Sequence, residues 1–266
     1  MKIAVTGKGG VGKTTVAAGL ARLFAREGRP VITIDADPDA NLAAALGIDP
    51  AAAAAIVPIA KMKDLIAERT GTTPGTSGGI YKLNPRVDDL PDEFSAKING
   101  VKHLVLGTVE KGGSGCICPE STVLKALMKH VIVRREEVVI MDMEAGIEHL
   151  GRGTAASVDA MLVVVEPGQR SVQTARQIQK LAADLKLPRV FLVLNKVHDG
   201  TEEAQLRSYL PDLPVIGTVR VRESIRRADL DGRSPFDVDA AFVAEIEVIK
   251  ERLEQEIGAS ADAPAN

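Results

Sequence analysis

Residues 7–15 read Gly7-Lys8-Gly9-Gly10-Val11-Gly12-Lys13-Thr14-Thr15 and follow directly on the apolar run Ile3-Ala4-Val5. Glycines lack a Cβ, so Gly7, Gly9, Gly10 and Gly12 let the backbone fold tightly enough for several amides to converge on phosphate oxygens. From Thr14 to Glu27 the chain places Val16, Leu20, Leu23 and Phe24 at helical spacing. The loop therefore opens onto a helix N-terminus, whose dipole favours an anion. With the spacing Gly-x-x-x-x-Gly-Lys-Thr, Lys13 reaches the β- and γ-phosphates and the Thr14 hydroxyl ligates Mg²⁺. Residues Gly9 to Thr15, Val11 included, are the candidate nucleotide-binding groups.

Strand, phosphate loop and helix in that order commit the chain to an α/β architecture. Short apolar runs at 2–5, 31–34, 103–106, 138–141, 161–165, 190–194 and 215–217 lack polar alternation, as strands covered on both faces do. Helical patterns at 14–27, 119–132, 171–186, 201–210 and 238–257 lie between or after them. The expected fold is a doubly wound, mostly parallel sheet flanked by helices. The chain has 266 residues, 45% of them apolar, enough for one substantial core. We expect one P-loop domain over 1–258 and a disordered tail over 259–266. Ala40–Ala60 reads as alanine-rich helix and Gly71–Gly79 as a surface loop.

A net charge of −3 and a pI near 5.9 leave no electrostatic footprint for nucleic acid. Arg220, Arg222, Arg226 and Arg227 form a local basic stretch, read as the solvated face of a helix. No apolar run approaches the length of a membrane span, and the N-terminus runs straight into a strand. A cytoplasmic protein without membrane or nucleic-acid partners is expected.

Two carboxylate clusters fall at strand ends, where open α/β sheets bind ligands. The run ending at Ile34 delivers Asp35-Ala36-Asp37-Pro38-Asp39, and the run 138–141 delivers Asp142-Met143-Glu144-Ala145-Gly146. Asp142 fits the role of holding Mg²⁺, directly or through water, and the Gly146 amide could contact a γ-phosphate. An aspartate at a strand end can equally cap or turn the chain, and for Asp35 and Asp39 both roles stay open. Glu144 adds a carboxylate with no assigned role. The run Phe191–Leu194 ends in Asn195-Lys196, and an asparagine amide there can pair with the donor and acceptor edge of adenine. Guanine recognition would call for an acidic residue shortly after that step. Asp199 is poorly spaced for it, which favours ATP.

Lys8 is not needed to form a phosphate cradle, and a second cation there needs a phosphate or carboxylate to compensate it. With this extra lysine the chain resembles the deviant Walker A ATPases, the MinD/ParA, arsenite-pump and nitrogenase-iron-protein group. The resemblance implies that Lys8 reaches across a dimer interface to the partner's nucleotide, which makes Lys8, Lys13, Asp37 and Asp142 the catalytic set. It places the switch I aspartate at Asp37, at the matching Asp-Pro step, orienting the attacking water and reaching Mg²⁺ through water. It also assigns Asn195 to the base.

The two cysteines, Cys116 and Cys118, form one Cys-Ile-Cys after a glycine-rich stretch. Inert thiols more often sit singly in apolar surroundings. An intrachain disulfide would be strained at this separation and disfavoured in a reducing compartment. As soft ligands, two thiolates per chain supply half of a tetrahedral set, which a two-fold dimer completes. Together with Asp37-Pro38-Asp39 and the run Asp142 to Leu150, this pair gives the chain, from Met1 to about Leu253, a close resemblance to the CooC-type accessory ATPases of carbon monoxide dehydrogenase. That resemblance implies a homodimer favoured by ATP and metal, with Ni²⁺ or Zn²⁺ between subunits and a nickel-containing carbon monoxide dehydrogenase as client. For His149 two roles stay open, coupling switch II to the metal or a purely structural one.

Rival functions exist within the same group. A positioning ATPase would need a membrane helix or basic surface, whereas Ala244–Gly258 carries Glu245, Glu247, Glu251, Glu254 and Glu256. An electron-donating iron protein would need its cysteines on separate loops to hold a four-iron cluster across the dimer.

Overall fold

The computed structural model describes residues 1–72, 81–108, 119–145 and 152–259. The strands are β1 (Lys2–Thr6), β2 (Val31–Asp35), β3 (Ala96–Ile98), β4 (Val101–Val105), β5 (Val138–Asp142), β6 (Ala160–Val165), β7 (Val190–Val197) and β8 (Val215–Arg220). The helices are α1 (Lys13–Arg26), α2 (Leu42–Ala45), α3 (Pro50–Ala54), α4 (Lys63–Thr70), α5 (Leu90–Glu93), α6 (Pro119–Arg134) and α7 (Arg152–Ala155). Further along come α8 (Gln169–Asp184), α9 (Gly200–Tyr209), α10 (Glu223–Leu230), α11 (Pro235–Val238) and α12 (Ala240–Gly258).

The strands form one sheet in the order β3-β4-β2-β5-β1-β6-β7-β8, parallel except for the β3/β4 pair. Successive residues of a strand face opposite sides, and in β1 Ile3 and Val5 join one core while Ala4 joins the other. On the first side α1 and α12 bring Leu20, Leu23, Phe24, Phe242 and Ile246 onto the sheet. On the second, α4, α6 and α8 bring Ile66, Leu127, Val131 and Ile178. Each such large side chain contributes about 1.5–3 kcal/mol on burial, so both faces of the central strands are held and the runs read as continuously apolar.

The doubly wound expectation holds, with differences at the margins. The run at 103–106 is β4, which begins at Val101 because Asn99 and Gly100, at φ 48° and 83°, turn the chain into an antiparallel hairpin with β3. Ala40–Ala60 is broken into α2 and α3, with Gly47 at φ 94° between them and Pro50 opening α3. The basic stretch is not one helix face: Arg220 ends β8, and Arg222 precedes α10. Arg222 and Arg226 pair with Glu245 and Glu223, and Arg220 with Glu203, so three of the four arginines hold the fold's own carboxylates. On α12, Glu247 and Glu254 likewise pair with Arg26 and Arg29 of the α1 segment. Among the described residues no helix is long and apolar enough to cross a membrane. The expected loop at Gly71–Gly79 and tail at 259–266 lie, beyond Thr72 and Ala259, outside the described residues.

Because β1 is flanked by β5 and β6, and α1 carries the chain from β1 to β2 on one side, the carboxyl ends of β1, β2, β5, β6 and β7 converge on one edge. In sheets of this topology that edge is where ligands bind.

Candidate nucleotide site

The turn between β1 and α1 depends on glycine at two close approaches. A Cβ on Gly12, at φ 91°, would stand 2.2 Å from Asn195 Nδ2, and one on Gly7 would stand 2.4 Å from the Val164 carbonyl oxygen. The Val11 amide donates to the Lys8 carbonyl at 3.3 Å, and the Val11 side chain is fully buried, so the crest of the loop is pinned while Gly9 and Gly10 stay exposed. No side chain caps α1 at Gly12. Its first-turn amides, including that of half-buried Thr15, lack a capping side-chain acceptor and suit an anion.

Around this loop the strand ends bring four predicted residues together. Lys13 is buried, with Nζ 3.6 Å from Asp37 Oδ2. Thr14 Oγ1 donates to Asp142 Oδ2 at 2.6 Å. Burial pushes the Asp142 carboxyl up to about 6, against the Thr14 hydrogen bond and the Lys13 charge. Asp142 Oδ1 is buried without a hydrogen-bond partner among the described residues. An orphaned carboxylate oxygen beside a threonine hydroxyl suits a hard divalent cation. Mg²⁺ fits this set: Thr14 and Asp142 would hold it, with Asp37 reaching it through water, and it would neutralise charge on the phosphates.

Asp35 takes the architectural role. It is fully buried, and its carboxylate accepts the amides of Asp37 at 3.2 Å and Leu42 at 3.0 Å, tying both ends of the 36–41 loop to β2. Burial drives its carboxyl up to about 7, with the amides opposing and Asp142 adding to the rise. Asp37 Oδ1 accepts the Asp39 amide at 3.0 Å, while the Asp39 side chain is exposed. Glu144 is exposed too, and its carbonyl accepts from Thr6 Oγ1 at 2.6 Å.

Residues 2–236 match the CobQ/CobB/MinD/ParA nucleotide binding domain. The chain belongs to that family. Within it, the chain is 43% identical to the carbon monoxide dehydrogenase accessory protein CooC of Rhodospirillum rubrum, across 97% of this chain and 98% of that one. It is 46% identical to an uncharacterised ATP-binding protein of Methanocaldococcus jannaschii, across 94% and 96% of the two chains. The septum site-determining protein MinD of Pyrococcus horikoshii, solved with Mg-ADP, superposes with a TM-score of 0.66 at 18% identity, covering 98% of each chain, a likeness of fold. The protein is a P-loop ATPase of the MinD/ParA type, closely similar to CooC.

The surroundings of Lys8 include a residue the sequence reading passed over. Glu166, the first residue after β6, places Oε1 3.9 Å from Lys8 Nζ and Oε2 3.0 Å from Lys196 Nζ. Lys196 also donates to the Gly10 carbonyl at 2.6 Å, from a backbone at φ 56°. The signal for Glu166 was its position, since it follows an apolar strand run just as Asp35 and Asp142 do. Asn195 is buried beneath the loop, donating from Nδ2 to the Val11 carbonyl at 2.7 Å and accepting the Lys196 amide at 2.9 Å. A side-chain amide has two donors and two lone pairs, so one of each remains for a base. Asp199 is used otherwise: it caps α9 through the amides of Thr201 and Glu202. Gly146, Glu148, His149, Cys116 and Cys118 lie outside the described residues, and among the described ones no cluster of three or more metal-ligating side chains occurs.

Proposed function

We propose that this ATPase is an accessory protein of carbon monoxide dehydrogenase, a dimer that carries one nickel or zinc ion between subunits and uses ATP hydrolysis to assist nickel insertion. The 43% identity to CooC, end to end, carries the reading. It is supported by the spacing of Cys116 and Cys118, the only cysteines in the chain, because two such pairs make the four thiolates a tetrahedral ion needs. It is supported too by Lys8, which stands at the rim of the phosphate loop with its side chain one-third exposed and so within reach of a second subunit.

In this reading Lys13 and the loop amides bind the phosphates, Asp37 orients the attacking water, and Lys8 completes the partner's site when ATP closes the dimer. The loops at 36–41 and after Asp142 respond to the γ-phosphate, so metal affinity and nucleotide affinity change each other by the same factor. The nickel ion is cargo, and the protein acts in the cytoplasm.

The experiment is equilibrium dialysis of Ni²⁺ and Zn²⁺ against the wild type, Cys116→Ser and Cys118→Ser, with ADP and with a non-hydrolysable ATP analogue. About one ion per dimer is expected for the wild type, approaching none in the variants. Activation of purified nickel-free carbon monoxide dehydrogenase should follow the same order. Full metal retention by the double variant would overturn the thiolate site, and four irons with sulfide would point to an electron carrier instead.

A further inference from the structure

On the face of the sheet opposite α1, helix α6 and the irregular segment 83–87 enclose a groove of about 460 Å³. Its apolar lining includes Leu83, Pro85, Ala126 and Val133, with Leu83 65% and Val133 41% exposed. The charged side chains on its rim are Lys125, Lys129 and Arg134, with no carboxylate among the lining residues. This is a concentration of positive charge on a chain whose net charge is −3.

Folding does not account for that arrangement. Lys125 and Lys129 stand one helical turn apart on the same face, where like charges repel. Of the nearby carboxylates, Asp88 is engaged with Arg86 and Asp92 with Lys102 and Arg135. The three rim cations form no ion pair among the described residues. Exposed aliphatic groups ringed by unpaired cations are the complement of an acidic segment with an apolar anchor.

We infer that the α6 groove is the docking site for an acidic, apolar-anchored segment of the client protein, an inference that rests on the accessory reading above. From Lys125 to Arg134 the helix rises about 14 Å, the reach of about four extended residues. The concave, apolar floor favours a protein segment. A flat bilayer would touch only the rim, and a phosphate backbone has nothing to place against Leu83 and Val133. Helix α6 begins at the residue after Cys118, so a client seated along it is held next to the element that leads out of the cysteine pair.

The test uses full-length protein and purified nickel-free carbon monoxide dehydrogenase immobilised on a biosensor. The variants are the charge reversal Lys125→Glu with Lys129→Glu, and Leu83→Ser, all remote from the nucleotide site. We expect the charge reversal to weaken binding at least tenfold and Leu83→Ser several-fold, with ATP hydrolysis by the free protein unchanged. Wild type and variants binding equally well would overturn the groove while leaving the accessory function intact. Failure of the wild type to bind the enzyme with ADP, ATP analogue or Ni²⁺ would overturn the accessory reading, and the client as occupant with it. Binding of phosphatidylglycerol vesicles or duplex DNA that is lost in the charge-reversal variant, while enzyme binding is not, would assign the groove to a different partner and overturn the inference.

Discussion

Lys8 and Glu166 face each other across the mouth of the phosphate loop, with Nζ 3.9 Å from Oε1, while the other oxygen of Glu166 holds Lys196. The cation that the family resemblance sends into a partner subunit is thus attended by a carboxylate of its own chain. Both side chains are partly exposed, so such a pair is worth about 0.2–1 kcal/mol. Glu166→Gln should therefore tighten ATP-linked dimerisation by roughly 1.5- to 5-fold, whereas Lys8→Ala should keep nucleotide binding and lose turnover. Sedimentation with ADP and an ATP analogue, alongside hydrolysis rates, checks both. Turnover by Lys8→Ala at the wild-type rate would exclude an intersubunit role.

Asp142 combines a hydrogen bond from Thr14 with a buried oxygen that has no partner among the described residues. Asp142→Asn keeps the shape and the acceptor for Thr14 while removing the charge. Mg²⁺-dependent hydrolysis should fall on the order of 100-fold, and nucleotide binding in EDTA should change little. Lys13→Ala should abolish hydrolysis. A variant at position 142 that still responds to Mg²⁺ like the wild type would move the metal site elsewhere.

Asn195 supports the phosphate loop from beneath through the Val11 carbonyl. Asn195→Ala leaves that carbonyl unsatisfied, at a cost of about 1–3 kcal/mol. The loop should loosen, weakening ATP and ADP binding by roughly tenfold and lowering the urea midpoint. If adenine and guanine nucleotides lose affinity equally, the residue acts through the loop. A loss confined to ATP would show that it reads the base.

His103 sits fully buried on β4 with Nδ1 3.0 Å from Thr33 Oγ1 and no partner for Nε2 among the described residues. Burial pulls its pKa down from 6.5 to about 4. The unfolded chain then binds the proton more readily than the folded one, so this group's stabilisation is complete above pH 6.5 and is lost as pH falls towards 4. At pH 5 the loss is about 2 kcal/mol. Raised carboxyls at Asp35 and Asp142 act in the opposite sense, since the folded state holds their protons more tightly and loses stability as pH rises from about 4 to about 7. His103→Gln should leave those terms in place and remove the histidine's loss, so between pH 7.5 and pH 5 the unfolding free energy of the variant should change by about 2 kcal/mol more favourably than that of the wild type. An identical change in both proteins would mean the histidine titrates in the fold as it does in the unfolded chain.

The phosphate loop, the parallel strands and the paired carboxylates were legible in the sequence because each depends on neighbours along the chain. Glycine spacing, unbroken apolar runs and strand-end aspartates are local patterns, and they placed Lys13, Thr14 and Asp142 without coordinates, while the family resemblance placed Asp37. The β3/β4 hairpin was legible as well, in Asn99-Gly100 between apolar residues, but the reading did not use it. Tertiary structure alone gave Asp35 its role as the buried tie of the 36–41 loop. Asp35 is the last residue of β2 and its carboxylate is held inward by the Leu42 amide, whereas Asp37 lies two residues on, past the strand end, where the chain has turned and it faces Lys13. It alone brought Glu166, Lys196 and Asn195 to a loop more than 150 residues away in the chain, because strand order puts β6 beside β1 and β7 beside β6. Contacts of that kind depend on which strands become neighbours, and no local spacing encodes them.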